Sequence, residues 1–169
     1  MCLRFSSDKP VLEGYIDWDI SANVDISRST SAYVMTYVGG ASSLQSRLQK
    51  AVALSTTESA HMAGREAGTK IIWMKKFIRE LGIRQEEFQL HSDNQSAIHL
   101  AKNAAYHSRT KHIQRRYHWL RERVEEKEFA MKKIHTTENG SDMLTKVLSA
   151  DKLIKRTTYV KLQLICLMW

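Results

Sequence analysis

Hydrophobic and polar residues alternate along the first third of the chain in three runs that predict β-strands. The runs extend from Val11 to Ile20, from Ser31 to Val38 and from about Ala41 to Leu48, and β-branched or aromatic residues alternate with polar ones in each. Gly39 and Gly40 lie between the second run and the third, which is typical of a hairpin turn. We therefore expect three strands, of which the last two form a hairpin.

After the three strand-like runs, the apolar residues repeat with the period of an α-helix, and this stretch predicts the longest helix of the chain. Small and apolar residues recur there at steps of three and four, so they lie on one stripe of a helix that ends at Gly82. The stripe consists of Ala60, Ala63, Gly64, Ala67, Ile71, Met74, Ile78 and Leu81.

The second half of the chain alternates between short strands and helices. Strands are predicted around Phe88 to His91 and near Phe129 to Ile134, and helices from about Asn94 to Lys102 and around Met143 to Leu148. Another helix is indicated by a buried stripe of Ile113, Tyr117, Leu120 and Val124. This order of elements predicts an α/β (α+β) fold with a mixed sheet flanked by helices.

Composition narrows the class of protein. The chain has 169 residues, 43% of them hydrophobic, which is enough for the core of one domain. Its formal charge of +8 favours an anionic partner such as nucleic acid or a membrane surface. Cys2 and Cys166 lie far apart without a zinc-binding spacing, so we expect a reducing compartment and no structural zinc. No signal peptide or membrane-spanning stretch is recognisable, so an intracellular location, cytoplasmic or nuclear, is expected.

Four acidic residues are candidates for binding divalent metal ions, and each also has a simpler explanation. Asp17 lies inside the first predicted strand, either as a metal ligand or as an exposed residue. Glu58 forms a capping-box pattern with Ser55. Asp93 and Asp142 each stand at a predicted helix start, where an acid also interacts favourably with the helix dipole. Sequence spacing alone does not show that the four carboxylates meet.

The chemistry that such carboxylates perform together is well defined. Mg²⁺ prefers oxygen ligands. Two metal ions can activate a water molecule on one side of a phosphodiester and stabilise the departing oxygen on the other. The acids are therefore compatible with phosphodiester hydrolysis that needs no histidine or cysteine nucleophile.

A series of segments resembles, in order and spacing, the ribonuclease H domain of copia-type retrotransposon Pol polyproteins. From about Leu3 to Asp151 they read GYIDWD, SRSTSAYV, LQKAVALSTTESAHMA, LHSDNQSAIHLAKN, HSRTKHI, RYHWLRERVEE and SDMLTK. The resemblance implies a ribonuclease H-like sheet of five strands and hydrolysis of the RNA strand of RNA–DNA hybrids. It also implies two Mg²⁺ ions, for which Mn²⁺ can substitute, and a reverse transcriptase domain in the parent polyprotein. By position it assigns catalysis and metal binding to Asp17, Glu58, Asp93 and Asp142.

The same resemblance divides the chain into three parts. Residues 1–10 correspond to a remnant of the upstream polyprotein connection, residues 11–150 to the ribonuclease H-like domain, and residues 151–169 to a divergent, weakly patterned tail. Within the domain, Trp18 follows the first acid where the family usually has a small residue, and Ala60 stands where an acid is common. The alternative to an active nuclease is therefore a catalytically inactive nucleic-acid-binding or interaction module from a degraded or domesticated element.

The same resemblance bears on a competing function and on a candidate histidine. An integrase or transposase on this fold lacks an early glutamate such as Glu58, which favours the ribonuclease. Many ribonucleases H use a histidine near the fourth acid to assist product release. His135 is the first candidate, and His107 and His112 are alternatives; a polar residue at a strand end is the simpler interpretation of His135.

Two groups of residues are candidates for contacting the substrate. Asn94 and Gln95, next to Asp93, are predicted to contact the 2′-hydroxyls that distinguish RNA from DNA. Arg116, Trp119 and Arg123 fall on one helical face that can follow a phosphate backbone. A solvated charged surface explains that face equally well.

Overall fold

The computed structural model describes residues 2–3, 10–19, 28–53, 55–102 and 114–163, and the structural statements below refer to them. In chain order the strands and helices are β1 (Cys2–Leu3), β2 (Glu13–Asp19), β3 (Thr30–Tyr37), β4 (Gly40–Leu48), α1 (Thr56–Glu80), β5 (Gln89–Ser92), α2 (Gln95–Lys102), α3 (Gln114–Glu125), β6 (Ala130–Lys133), two 3-10 helices (Thr136–Glu138 and Gly140–Leu144), α4 (Ala150–Tyr159) and β7 (Leu162–Gln163).

The central sheet has five strands in the order β4-β3-β2-β5-β6. The pairs β4–β3 and β3–β2 are antiparallel, whereas β2–β5 and β5–β6 are parallel, so the prediction of a mixed sheet is confirmed. The hairpin between β3 and β4 turns at Val38 and Gly39, both with positive φ. A separate two-stranded sheet pairs β1 with β7 and brings the two described ends of the chain side by side.

The two faces of the sheet carry different layers because side chains alternate along each strand. Ile16 of β2 packs with Ile71 of α1 and Phe129 in the larger core. Tyr15, the preceding residue, points to the other face and packs in a smaller core with Val160, the C-cap residue of α4. Asp17 is therefore on the Tyr15 face of the sheet, and Trp18 is on the face that α1 covers.

Helix α1 confirms the periodicity argument and shows what fixes its ends. The Ser55 side chain caps its first turn by accepting a hydrogen bond from the Glu58 N–H at 3.1 Å. The helix ends at Glu80, and Gly82 adopts a φ of +77°, the left-handed conformation that favours glycine after a helix. None of the described helices combines the length and the apolar composition needed to cross a membrane.

The end of the chain differs from the sequence prediction. The prediction of a helix around Met143 to Leu148 is wrong. A 3-10 helix ends at Leu144, and the next helix, α4, begins only at Ala150. Ser149 precedes α4 as its N-cap residue, and the helix is amphipathic, which the sequence prediction overlooked. The helix packs on the second 3-10 helix, where a Cβ at Gly140 would lie 2.1 Å from Val160 Cγ1. Residues 150–160 are thus packed against the residues before them.

Candidate active site

Two of the predicted acids lie side by side because their strands are adjacent and parallel. The register pairs Ile16 of β2 with Ser92 of β5. Asp17 and Asp93 each follow directly in the chain, at the same end of the sheet. The negative charge of Asp93 is also one of the influences that raise the pKa of Asp17. The first and third candidate acids are therefore neighbours.

A buried asparagine brings the fourth acid to the same place. The Asn139 side chain donates from Nδ2 to the Ile16 carbonyl oxygen at 2.9 Å, and its Oδ1 accepts from the backbone N–H and the hydroxyl of Ser141 at 3.2 and 2.6 Å. Asn139 and Ser141 are fully buried. These bonds attach the second 3-10 helix to β2, so that Asp142 lies beside Asp17. Sequence reasoning missed Asn139, and only its place in the ENGSDMLTK segment pointed to it.

Glu58 approaches the end of the sheet from the α1 side. The Gln49 side chain donates to the Ser31 hydroxyl at 2.6 Å and to the Ser59 carbonyl oxygen at 2.9 Å. Because Ser31 pairs with Trp18 in the β2–β3 register, this bridge places the first turn of α1 over the end of β2. Glu58 is buried there. Its backbone N–H takes part in the predicted helix cap, which confirms the structural explanation, and its metal-binding role stays a prediction.

A lysine that sequence reasoning did not single out joins Asp17 and Asp142. The Lys146 ammonium lies 2.7 Å from Asp142 Oδ1 and 3.2 Å from Asp17 Oδ2. Arg156 of α4 contacts the other Asp142 oxygen through Nη2 at 3.2 Å, and the Thr145 hydroxyl donates to Asp17 Oδ2. Asp17 and Asp142 are only 3% and 4% exposed. Two buried carboxylates therefore share one cation.

Burial and the charge of Lys146 shift the pKa of Asp17 in opposite directions. Burial raises the pKa of Asp17, and Asp93 adds to the rise, while the hydrogen bond from Thr145 and the charge of Lys146 oppose it. Burial of Lys146 by itself disfavours its charged form, but Asp142 and Asp17 outweigh this effect and its pKa is raised. The site thus favours a positive charge between the two carboxylates.

Asp17 and Asp142 have the oxygen ligands that suit a divalent cation, but the Lys146 ammonium lies between them. Within the described ranges, no three His, Cys, Asp or Glu side chains are grouped closely enough to hold a metal ion. Carboxylate oxygens are nevertheless the ligands that Mg²⁺ prefers. The ammonium of Lys146 already occupies a cation position between Asp17 and Asp142. A metal ion can take that position only if Lys146 withdraws.

Trp18 does not disturb the strand that carries Asp17. The β2–β3 pairing runs from Glu13 with Thr36 to Asp19 with Thr30, and Asp17 is paired with Ala32 within it. The indole of Trp18 points to the opposite face, where it packs in a small buried cluster with Ala60, Ala63 and Ala97. The alanine at position 60 leaves room for the indole where the family often has an acid. These two departures from the family pattern are therefore complementary in space.

The structure gives the candidate histidine a local role. His135 is exposed and precedes the first 3-10 helix, where its Nδ1 accepts from the Thr137 N–H at 3.2 Å. This cap agrees with the simpler interpretation of His135 and leaves a role in product release untested. His107 and His112 lie outside the described residues.

The predicted substrate contacts are placed as follows. Asn94 Oδ1 accepts from the Ala97 N–H at 2.9 Å and so caps α2, and Gln95 accepts from the Lys133 ammonium at 3.1 Å. Trp119 is half-buried against the larger core, and Arg123 is ion-paired with Glu126. The side chain of Arg116 lies outside the described residues. Asn94 and Gln95 thus lie next to Asp93, whereas part of the Trp119 side chain packs against the larger core.

The curated proteins that resemble the chain include Pol polyproteins of plant transposons. No protein-family model matches the chain. It is 50% identical over 151 residues, 89% of its length, to the retrovirus-related Pol polyprotein from transposon TNT 1-94 of Nicotiana tabacum. It is 31% identical over 139 residues, 82% of its length, to the corresponding polyprotein from transposon RE2 of Arabidopsis thaliana. The chain spans only 11% and 10% of the lengths of these polyproteins.

Solved structures share the fold at low sequence identity. LC11-RNase H1 in complex with an RNA/DNA hybrid aligns with a TM-score of 0.52 at 12% identity, covering 79% of this chain and 92% of that one. The N-terminal RNase H domain of rv2228c from Mycobacterium tuberculosis, solved as a fusion with maltose binding protein, gives 0.51 at 9% identity, with coverage of 89% and 98%. The chain therefore has the ribonuclease H-like fold and belongs with the retrovirus-related Pol polyproteins of copia-type transposons.

Proposed function

We propose that the chain is a metal-dependent ribonuclease that hydrolyses the RNA strand of RNA–DNA hybrids. The carboxylates of Asp17, Glu58, Asp93 and Asp142 would hold two Mg²⁺ or Mn²⁺ ions. The observation that carries the proposal is the shared cation position between buried Asp17 and Asp142, with Asp93 adjacent, in a ribonuclease H fold. The hybrid held by LC11-RNase H1 supports the choice of substrate. A reverse transcriptase domain in a parent polyprotein is part of the same proposal.

The protein's own side chains have definite tasks in this reaction. Bound metal ions would supply an activated water molecule and stabilise the departing oxygen. Asp17 is held by the Thr145 hydroxyl and Asp142 by Arg156, so both carboxylates keep their orientation when Lys146 moves away. The displaced Lys146 ammonium remains tethered next to the site, where it can pair with a phosphate of the substrate. Asn94 and Gln95 would contact the RNA strand beside Asp93.

The inactive binding module is the second candidate function. It is favoured by the same Lys146 contacts, because a cation position already filled by the protein needs no metal ion. The two candidates differ in one respect that can be measured. Both predict binding to a hybrid, but only the first predicts that the RNA strand is cut.

Cleavage of an end-labelled RNA–DNA hybrid by the purified chain tests the proposal. We expect the RNA strand to be cut with Mg²⁺ or Mn²⁺ and not with EDTA, and single-stranded RNA and double-stranded DNA to remain intact. Asp93→Asn should abolish cleavage, because the amide keeps the shape but loses the charge that binds a metal ion. Asp151→Asn, at an exposed acid in the first turn of α4, is the matched control and should cut normally. A folded chain that binds the hybrid without cutting it would establish the inactive module.

A further inference from the structure

The edge of α1 next to β4 forms a groove that none of the four acids lines. The groove lies between β4 and α1 and has a volume of about 420 Å³. Its charged and polar lining comes from β4, the following turn and the middle of the helix, and includes Gln45, Arg47, Lys50, Arg65, Glu66 and Thr69. The groove is open to solvent and predominantly basic.

The groove has a net positive charge, because three basic side chains and one acidic side chain line it. Arg47 and Glu66 form an ion pair at 2.5 Å and neutralise one another. Lys50 and Arg65 are exposed, and the described residues provide no ion-pair partner for either. His61 also lines the groove, but burial lowers its pKa to about 4, so it is neutral at physiological pH. Lys50 and Arg65 are therefore available for an anionic group.

An exposed aromatic pair continues the same side of the helix. Trp73 and Phe77 are 56% and 48% exposed, and their rings are parallel within 3° with centroids 5.7 Å apart. The Lys70 ammonium lies 4.6 Å from the centre of the Trp73 ring. Two large aromatic side chains held in a stack against solvent, with a cation beside them, form a flat surface on which a planar group can rest.

The groove and the aromatic pair form one continuous surface. Arg65, Thr69, Trp73 and Phe77 follow one another at steps of four residues, so they are neighbours along one side of the helix. The distance along the axis from Arg65 to Phe77 is about 18 Å at the rise of an α-helix. Trp18 and the larger core contact the other side of α1. We call this surface the α1 track and define it by Lys50, Arg65, Lys70, Trp73 and Phe77.

We propose that the α1 track binds single-stranded nucleic acid, with phosphates at Lys50 and Arg65 and bases stacked against Trp73 and Phe77. Proteins that bind single strands combine a positive groove with aromatic side chains in this way. Stacking requires unpaired bases, which distinguishes this ligand from the paired hybrid of the proposed reaction. A base that displaces Lys70 from the indole frees its ammonium to pair with the adjoining phosphate. The inference goes beyond the proposed function, because the track includes none of the four acids.

The test measures the affinity of the whole chain for labelled single-stranded RNA and DNA oligonucleotides by fluorescence anisotropy in EDTA. We expect Trp73→Ala to weaken binding by about fivefold to 150-fold, the range for losing one base–aromatic stack, and Trp73→Phe to restore most of it. The double variant Lys50→Ala/Arg65→Ala should flatten the salt dependence of log K by about 1.4, or about 0.7 for each lost phosphate contact. Ile154→Ala and Lys152→Ala, on exposed positions of α4, are the controls and should bind like the wild type.

Three outcomes would overturn the proposal. The first is absence of single-strand binding by the wild type, and the second is unchanged affinity in both track variants. The third is a dimer in solution that Trp73→Ala dissociates, because the aromatic pair would then be an interface between two copies of the chain. Cleavage of a blunt hybrid separates this proposal from the proposed function. We expect the track variants to cut a blunt hybrid at the wild-type rate, while Asp93→Asn cuts nothing and still binds single strands.

Discussion

Lys146 neutralises part of the negative charge of a site that contains several acidic residues. Its ammonium compensates two carboxylates that are almost completely buried, although the lysine side chain itself remains 38% exposed. Removing one partner of such a group leaves the other charges without compensation. The stability of the metal-free chain and its affinity for metal ions should therefore both depend on this lysine.

We predict that Lys146→Met destabilises the metal-free protein by about 1–3 kcal/mol, less than for a fully buried pair because the lysine is partly exposed. Mg²⁺ should stabilise this variant more than it stabilises the wild type, since no ammonium then competes for the carboxylates. Urea unfolding in EDTA and in Mg²⁺ measures both effects. Lys152→Met, at an exposed position of α4, is the control. Equal stability of Lys146→Met and wild type in EDTA would contradict the role assigned to this lysine.

His61 gives the chain a predicted pH dependence of stability. Burial lowers its folded-state pKa from 6.5 to about 4. Below pH 6.5 the unfolded chain therefore binds a proton that the folded chain does not, so the free energy of unfolding falls as the pH decreases from 6.5 towards 4. The slope should be about 1.4 kcal/mol per pH unit within this window. Above pH 6.5 His61 is neutral in both the folded and the unfolded chain, so the penalty is absent there.

Unfolding of wild type and His61→Gln between pH 5 and 7 isolates this effect, because most carboxylates titrate at lower pH. The variant should lose most of the slope. His99→Gln, an exposed histidine on α2, provides the comparison and should keep it. A wild-type slope that survives in His61→Gln would show that another group is responsible.

At the scale of elements, helix α4 completes the site although it lies in the tail that sequence reasoning set apart. Arg156 reaches Asp142 from this helix, and Val160 at its end packs against Gly140. We predict that Gly140→Ala destabilises the protein by about 1–3 kcal/mol, because its methyl group would overlap Val160 and push α4 away. Thermal unfolding measures the loss.

A second substitution tests the cause of that loss. Val160→Ala removes the Cγ atoms that a residue-140 methyl group would meet, so the double variant Gly140→Ala/Val160→Ala should be more stable than the sum of the single effects predicts. Strict additivity would mean that α4 does not pack on Gly140 in solution. Gly82→Ala is unsuitable as a control, since its positive φ strains any other residue regardless of packing.

Elements also differ in how well local patterns predicted them. The stripe of α1 and the hairpin of β3 and β4 came from periodicity and paired glycines, which are properties of short stretches of chain. The prediction of a helix around Met143 to Leu148 was wrong because Asn139 accepts hydrogen bonds from Ser141 and donates one to Ile16 of β2, which stabilises a 3-10 helix at Gly140–Leu144 instead. Helix α4 is amphipathic, and the prediction of a weakly patterned tail overlooked its apolar side.

At the scale of the whole molecule, the fold places two different surfaces on opposite faces of the central sheet. Asp17 and Asp142 face the layer formed by the second 3-10 helix and α4, whereas the α1 track faces solvent beyond the other layer. The formal charge of +8 is consistent with an anionic partner at either surface. A nuclease site and a single-strand track on one domain would let the chain hold an unpaired end near a hybrid.

The sequence by itself determined the long helix, strands β2, β3 and β4, the mixed-sheet class and, through resemblance, which acids to examine. Each of these depends on residues close together in the chain or on an ordered series of motifs. Only the tertiary structure decided that Lys146 bridges Asp17 and Asp142, that Arg156 holds Asp142, and that Ala60 makes room for Trp18. The hydrogen bond from Thr145 to Asp17 joins residues 128 positions apart. Local periodicity reports which side of an element is buried, but such distant contacts exist only after the elements pack together.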